Sequence, residues 1–248
     1  MGNKRLMAKE ILPLVPAHRC YCEPFAGSAA VLLTKDPSPN EVLNDLNGDL
    51  INFYRIVRFH KDELVRELWH MPVSRSEFYD AKAQPGLTDI QRAARWFYRN
   101  KFGFGGKGEH FGRTKHRGPA SREGLWWRLE ALCERLQDVI LENQDWRSIF
   151  GFYDSSETFF FIDPPYVETE QYSSQRWSER DHVELAESVL SLRGSWVLTY
   201  NDHDLVRRLY DGTPLREVSQ AQQLAKDAKG RSHRMYQVII SPLLPHGG

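Results

Sequence analysis

Two hydrophobic rhythms alternate along the 248-residue chain. Short apolar runs bounded by turn residues read as buried strands, and apolar residues at three- and four-residue spacing read as helices. In the first third, a helix over Leu6–Leu14 ends at Pro13 and Pro16, a strand covers Arg19–Glu23, and the turn Pro24-Phe25-Ala26-Gly27 leads into a helix start at Ser28–Leu33. A second strand covers Glu41–Asn44. Asp49–Leu68 then has the pattern of one long helix, through Leu50, Phe53, Tyr54, Val57, Leu64 and Leu68, stopped at Met71-Pro72. The middle of the chain reads as mostly helical. Ser74-x-x-Glu77 resembles a capping box, Ile90–Lys101 and Arg122–Leu136 are helices, and Phe102–Ala120, with six glycines in nineteen residues, is irregular. The last third returns to alternation, with strands at Val139–Glu142, Phe159–Ile162, Trp196–Thr199, Leu215–Val218 and Gln237–Ile240. Helices fit between them at Glu179–Leu192, capped by Ser178 and stopped at Gly194, and at His203–Tyr210, capped by Asp202. Such alternation predicts an α/β fold, a mostly parallel sheet covered on both faces. The helical middle, residues 58–138, reads as an insertion between a first part (1–57) and a second part (139–248) of that sheet.

Composition changes this picture little. The chain is 41% hydrophobic and 27% charged, which excludes a disordered protein. No apolar run approaches the ~18 residues of a membrane span. The N-terminal stretch lacks the apolar core and cleavage site of a signal peptide, so the cytoplasm is the expected compartment. Cys20, Cys22 and Cys133 suggest no disulfide framework. Cys20-x-Cys22 puts two thiols on one strand face, as core packing rather than metal ligation, and no metal is expected. His110, His116 and His233 fall in basic segments and suit surface or backbone contacts better than catalysis.

Charge matters more. Lys plus Arg number 33 and Asp plus Glu 33, a balance that argues against a nucleic-acid partner when read as an average. Between Arg92 and Arg122, however, there are nine basic residues and one acid, a net +8 that leaves −8 for the rest of the chain. Trp96, Phe97, Tyr98, Phe102, Phe104 and Phe111 interleave with those cations. Taken alone, the stretch also fits a solvated loop beside an aromatic helix.

Chemistry concentrates at two strand ends. Phe159-Phe160-Phe161-Ile162 runs straight into Asp163-Pro164-Pro165-Tyr166. The two prolines fix φ and end the strand's hydrogen bonding. They leave an Asp at the carboxyl end of a buried strand, where α/β sheets hold ligands. A carboxylate next to a carbonyl makes a pair of acceptors suited to a planar exocyclic amine, and the Tyr offers a ring on which a planar base can stack. After the first strand comes Glu23-Pro24-Phe25-Ala26-Gly27-Ser28-Ala29-Ala30. Its single glycine permits a tight turn, but the three-glycine dinucleotide fingerprint is absent, which argues against a nicotinamide cofactor. Asp45 closes the second strand, 22 residues beyond Glu23, where an acid faces ribose hydroxyls in such folds. Alone it reads better as a turn former in Asn44-Asp45-Leu46-Asn47-Gly48.

In their order, Glu-Pro-Phe-x-Gly, Asn-Asp-Leu-Asn-x-Asp-Leu-Ile and Asp-Pro-Pro-Tyr resemble the Dam-type (alpha) class of DNA adenine-N6 methyltransferases. Tyr98-Arg99-Asn100-Lys101-Phe102-Gly103-Phe104-Gly105-Gly106, Phe111-Gly112-Arg113, Asp145-Trp146, Tyr200-Asn201-Asp202 and Arg231-Ser232-His233-Arg234 extend the likeness over most of the chain. The resemblance implies a Rossmann-like catalytic domain, an inserted helical recognition domain, S-adenosyl-L-methionine as methyl donor and double-stranded DNA as partner, commonly at a short palindrome such as GATC. It also implies a monomer with no obligate protein partner, no membrane association, and sometimes a place in a restriction–modification pair. By the same likeness the methyl donor is held by Lys4, Glu23, Pro24, Phe25, Gly27, Asp45, Leu46, Asn47, Asp145, Trp146 and Asp163. Asp163, Pro164, Pro165 and Tyr166 act on a flipped adenine. Arg99, Asn100, Lys101, Lys107, Arg113, Lys115, Arg117, Arg231 and Arg234 contact DNA, with Lys226 and Lys229 as further candidates. Methylation of RNA or of a protein glutamine, and a DNA-binding protein that no longer turns over, are the competing readings. The chain departs from the family pattern in three places. Ala29 stands where a second glycine is common, no aromatic precedes Gly2-Asn3-Lys4, and Gln237 or Tyr236 stands where many members carry a Glu.

Overall fold

A computed structural model describes residues 4–104, 108–112, 122–168, 177–219 and 236–245. The chain forms two compact units, Met1–Asn44 with Gln144–Gly248, and Asp45–Asn143. Among the described residues there are seven strands and nine α-helices, so the mixed α/β character expected from the alternation is present. No helix of the described residues is long and apolar enough to cross a membrane.

The first unit contains α1 (Lys4–Ile11), β1 (Cys20–Glu23), β2 (Asn40–Asn44), α7 (Trp146–Tyr153), β4 (Thr158–Ile162), α8 (Glu179–Leu190), β5 (Ser195–Asn201), α9 (Asp204–Leu209), β6 (Leu215–Ser219) and β7 (Tyr236–Ile240). Six strands lie here, in the order β2-β1-β4-β5-β7-β6. β1 is parallel to β2 and to β4, and β4 is parallel to β5. β7 runs antiparallel to both β5 and β6, so the sheet is parallel where the two chemical motifs end. β4 is buried along its whole length, as a central strand covered on both faces must be. Its Phe160 and Ile162 join Cys22, Val42, Trp146, Trp196, Leu198 and Val238 in the main core, with Cys20 packed against it. The two β1 thiols are therefore core groups.

Four local features differ from the sequence expectation. The stretch Ser28–Leu33 is a series of turns and not a helix. Gly27 and Ala29 both adopt positive φ, +47° and +50°, which breaks the helical run. The Leu32 N–H that a helix would use donates instead to the Glu23 carboxylate at 2.9 Å. α9 is capped by His203 and not Asp202: the His203 ring accepts from Leu205 N–H, while Asp202 pairs with Arg207. α7 is a helix that the sequence left unassigned, with Asp145 as its N-cap. α8 carries the full reciprocal capping box of Ser178 and Asp181, which explains its sharp start.

Gly194, between α8 and β5, is needed for space. A Cβ there would lie 2.6 Å from the Thr158 carbonyl and 2.9 Å from that of Ser155. Gly194→Ala is expected to lower unfolding free energy by about 2 kcal/mol. A denaturant-unfolding midpoint equal to the parent's would contradict this.

The second unit holds α2 (Gly48–Phe59), α3 (Lys61–His70), α4 (Arg75–Ala83), α5 (Asp89–Phe102), α6 (Arg122–Arg135) and β3 (Val139–Glu142). The single helix expected over Asp49–Leu68 is two, the fourth difference. His60 leaves helical geometry at φ −139°, with no proline or glycine to mark it. Its N–H still closes α2 on the Ile56 carbonyl, and its own carbonyl opens α3 by accepting from Leu64. Ser74 caps α4 by accepting from Glu77 N–H, but its own N–H donates to the Tyr98 hydroxyl. A small core of Phe78, Ala81 and Tyr98 gathers Leu68, Met71, Phe102 and Phe111. The described part of the glycine-rich stretch pairs in antiparallel fashion, Gly103 with Phe111: Phe104 N–H donates to the His110 carbonyl and Gly112 N–H to that of Phe102. A Cβ on Gly112 would overlap the Phe104 backbone at 2.6 Å, so that crossing requires glycine.

Candidate active site

The chemistry sits where β1, β4 and β5 end together. Ile162, the last residue of β4, pairs with Leu198 of β5. This brings Asp163, just beyond the strand, beside Thr199. Thr199 Oγ1 donates to Asp163 Oδ1 at 2.7 Å, and the Tyr166 hydroxyl donates to the same oxygen at 3.2 Å. Gln237 Nε2 on β7 donates to the Tyr166 hydroxyl at 3.0 Å. Asn201 clamps the next residue on both sides: its Oδ1 accepts from Val167 N–H and its Nδ2 donates to the Val167 carbonyl. Pro164 is buried and Pro165 half-buried. The Tyr166 ring lies 6.0 Å from that of Tyr200, whose hydroxyl is 2.7 Å from His182 Nδ1. Burial lowers the His182 pKa and holds that of Tyr200 well above its ordinary value.

Glu23 closes β1 with 1% exposure. Its Oε1 accepts from the Tyr21 hydroxyl at 2.7 Å and from Leu32 N–H at 2.9 Å. Burial pushes the carboxyl up to about 7 against those two bonds, and the nearby charge of Asp163 adds to the rise. The acids of the two motifs thus sense one another. After Glu23, Pro24 is buried and its carbonyl accepts from Asn44 Nδ2, which also donates to the Gln144 carbonyl. Gln144 N–H returns a bond to Asn44 Oδ1. Asn44 thereby ties the Glu-Pro-Phe loop to the segment carrying Asp145 and Trp146. A Cβ built on Gly27 would meet nothing within 4 Å, so the glycine answers a backbone requirement and leaves space above it.

Aromatic rings border the same edge. Phe25 meets Trp177 edge-on at 5.7 Å, and Trp177 lies 6.4 Å from Trp146. Trp146 is buried against Phe150 with the Arg147 guanidinium over its ring. Asp145 caps α7 through Arg147 N–H and pairs with the Arg147 side chain.

The expected site residues fall into three groups. Glu23, Pro24, Phe25, Gly27, Asp145, Trp146, Asp163, Pro164, Pro165 and Tyr166 all belong to the first unit, and direct bonds join Asp163 with Tyr166. Asp45, Leu46 and Asn47 open the second unit. There the Asp45 carboxylate makes an Asx turn on Asn47 N–H, and the Asn47 side chain caps α2, while Leu46 is exposed. On α5 and beyond, Arg99 is half-buried, with Nε unpaired among the described residues. Asn100 Nδ2 donates to the Trp96 carbonyl, and Lys101 is exposed. Lys107, Arg113, Lys115, Arg117, Lys226, Lys229, Arg231, Arg234, His116 and His233 lie outside the described residues, as does the side chain of Lys4.

Thr199 and Gln237 were missed as site residues, and Asn201 was noted only as part of a likeness. A signal for the β5 pair was present. Thr199 and Asn201 are polar at alternate positions in an otherwise apolar strand, which puts both on one face.

The residues and their spacing match known proteins. The family described as D12 class N6 adenine-specific DNA methyltransferase matches residues 1–224. A DNA adenine methylase of Vibrio cholerae is 28% identical over 93% of this chain and 90% of its own length. The type II methyltransferase M.CviBI of Paramecium bursaria Chlorella virus NC1A is 24% identical over 85% of this chain and 84% of its own. The type II methyltransferase M.MjaIII of Methanocaldococcus jannaschii is 25% identical over 89% and 87%. With its Asp-Pro-Pro-Tyr segment held at the end of a parallel strand and the family match spanning most of its length, this chain belongs to the D12 class N6 adenine-specific DNA methyltransferases.

Proposed function

We propose that the protein transfers a methyl group from S-adenosyl-L-methionine to N6 of adenine in double-stranded DNA, acting on a base flipped out of the helix. The observation that carries this reading is the Asp163–Tyr166 pair, braced by Thr199 at the end of β4. Adenine N6 is a weak nucleophile because its lone pair is delocalised into the ring. The Asp163 carboxylate and the Pro164 carbonyl accept its two hydrogens, which lets the nitrogen become tetrahedral and expose that pair. The carboxylate also offsets the positive charge that develops on N6; as the N–C bond forms, the S–C bonding pair stays with sulfur and the donor would leave as a neutral thioether, and one of the two hydrogens is the proton that N6 gives up to solvent. Positioning and electrostatics supply the rate, with no covalent enzyme intermediate. The Tyr166 ring stacks on the extruded base.

The residues of the first unit suit the methyl donor chemically. When bound, S-adenosyl-L-methionine supplies an electrophilic methyl group on a cationic sulfonium. Glu23 offers a buried carboxylate to a cation, Gly27 leaves open space along the backbone, and Phe25, Trp146 and Trp177 provide ring surface. We assign Pro24 and Asp145 to shaping that site. Lys4, Asp45, Leu46 and Asn47 are assigned to the donor from the family likeness. The helical second unit with its basic stretch, and the tail, are assigned to DNA through Arg99, Asn100, Lys101, Lys107, Arg113, Lys115, Arg117, Arg231 and Arg234. A monomer without an obligate partner is part of this proposal.

Expression in a methylation-deficient host, followed by mapping of N6-methyladenine in its DNA, tests the reading. Methyladenine at one short recurring sequence is the expected result. Unmodified DNA from cells holding folded protein would overturn it, and methyl label found only in RNA or protein would assign a different substrate.

A further inference from the structure

Behind the Glu-Pro-Phe loop lies a buried polar set that the proposed reaction does not use. Side chains alternate along β1, so Tyr21 and Glu23 share one face of the sheet while the two thiols pack into the core on the other. Glu41 on β2 is the register partner of Tyr21 and stands on the same face. Lys35, from the turns between the two strands, reaches back across it. Its Nζ lies 4.5 Å from the centre of the Tyr21 ring and donates to Glu41 Oε1 at 2.5 Å and to Ser38 Oγ at 2.6 Å. The Lys35 and Glu41 side chains are each 5% exposed, and Tyr21 is fully buried. An ion pair this far from water contributes little net stability against its desolvation cost. Here the pair holds a ring: the ammonium grips the face of Tyr21, and the hydroxyl of that ring donates to Glu23 Oε1 at 2.7 Å.

We propose that Tyr21 is a positioning residue for the methyl donor: its hydroxyl, on a ring fixed by the Lys35–Glu41 pair, engages Glu23 Oε1 and so presents Oε2 to the donor's positive charge. Both bonds that Glu23 makes among the described residues, from Tyr21 and from Leu32 N–H, end on Oε1. Two donors on one oxygen fix the rotation of the carboxylate and aim the other oxygen. The phenol has one proton to give. Burial and the charge of Glu23 hold the Tyr21 pKa well above its ordinary value, so that proton stays in place. The same bond favours the ionised carboxyl against the burial that opposes it. Tyr21 therefore both orients Glu23 and keeps it anionic. The inference rests on the reading of Glu23 as a ligand of the methyl donor.

The test compares Tyr21→Phe, Glu23→Gln and the double variant with the parent, as full chains, by equilibrium binding of S-adenosyl-L-methionine from pH 6 to pH 9. Tyr21→Phe keeps the buried ring and its contact with Lys35 and removes only the hydroxyl. It is expected to weaken donor binding roughly tenfold at pH 6.5. The transfer rate at saturating donor and the Kd for DNA should stay within about twofold of the parent. The loss should narrow to about threefold at pH 9, where the carboxyl ionises without help from the hydroxyl. The ionisable groups around Tyr21 and Glu23 are His18, Cys22, Lys35, Glu41 on β2 and Asp163 after β4. Each affinity is taken as a ratio to the parent at the same pH, which removes their titration and that of the donor's own amino group. In the Glu23→Gln background, Tyr21→Phe is expected to change donor affinity less than about twofold, because it acts through the carboxylate. A packing role alone gives the same loss in both backgrounds and at every pH. Parent-like affinity in Tyr21→Phe, an equal loss in both backgrounds, or a ratio that stays flat with pH each overturns the proposal. If Glu23→Gln binds the donor weakly at pH 8 while Tyr21→Phe is unimpaired throughout, only this inference fails. If Glu23→Gln binds as tightly as the parent at pH 8, the assignment of Glu23 to the donor fails with it.

Discussion

Asp163→Ala is expected to cut methyl transfer roughly a thousandfold or more while leaving DNA affinity within a few-fold of the parent. In the proposed mechanism the substitution removes the group that accepts a hydrogen from N6 and offsets its developing charge. It also strips the shared acceptor from Thr199 and Tyr166, so the ring meant to stack on the base loses its anchor. DNA affinity is expected to survive because the proposed phosphate-neutralising cations are those of the basic stretch between Arg92 and Arg122 and of the tail. The measurement is a single-turnover transfer of labelled methyl groups, with DNA affinity titrated in parallel. A residual rate within tenfold of the parent would sink the mechanism.

Glu23→Gln is expected to make the protein more stable at pH 8 and less able to hold the methyl donor. The carboxyl is raised by burial from an ordinary 4.5 to about 7 in the folded protein. Between those values the native state keeps a proton that the unfolded chain has released. Stability therefore falls as pH rises across that window, by a total on the order of 3 kcal/mol, and the loss is complete above pH 7. The isosteric amide does not titrate, and its oxygen still accepts from Tyr21 and Leu32. The stability gap between Glu23→Gln and the parent should be widest at pH 8 and close as pH falls toward 4.5. Urea unfolding at pH 5, 6, 7 and 8 reads this out, and a gap that does not change with pH contradicts it. Donor binding moves the other way. A cation gains from Glu23 only when the carboxylate is ionised, so the parent's donor affinity should rise through pH 7 and that of Glu23→Gln should not.

The two motif loops were legible in the chain because their signals are local. Asp163-Pro164-Pro165-Tyr166 announces itself through prolines that must end a strand and through the apolar run before it. Glu23-Pro24-Phe25 does so through its place after the first strand. The alternation that implied a mostly parallel sheet held, since the central strands are short, largely apolar and flanked by turn residues. Local conflicts were harder to see. The apolar run Ser28–Leu33 has a helical composition, but Ala29 sits at positive φ and Leu32 N–H is taken by Glu23, a bond between residues nine positions apart. The break at His60 is hidden because the apolar spacing continues through it, with Leu64 buried and Leu68 half-buried beyond the break and Val57 buried before it.

Chain order could place Asp163 at a strand end and name its chemistry, for strand termination and side-chain type are properties of a few consecutive residues. It could not supply the partners of Asp163. Thr199 lies 36 residues away and Gln237 lies 71 from Tyr166. Their meeting depends on β5 lying parallel to β4 and β7 antiparallel to β5, a pairing that no local spacing encodes. The raised carboxyl of Glu23 has the same origin: an acid at the end of a strand reads as solvated until the sheet closes over it and removes the water.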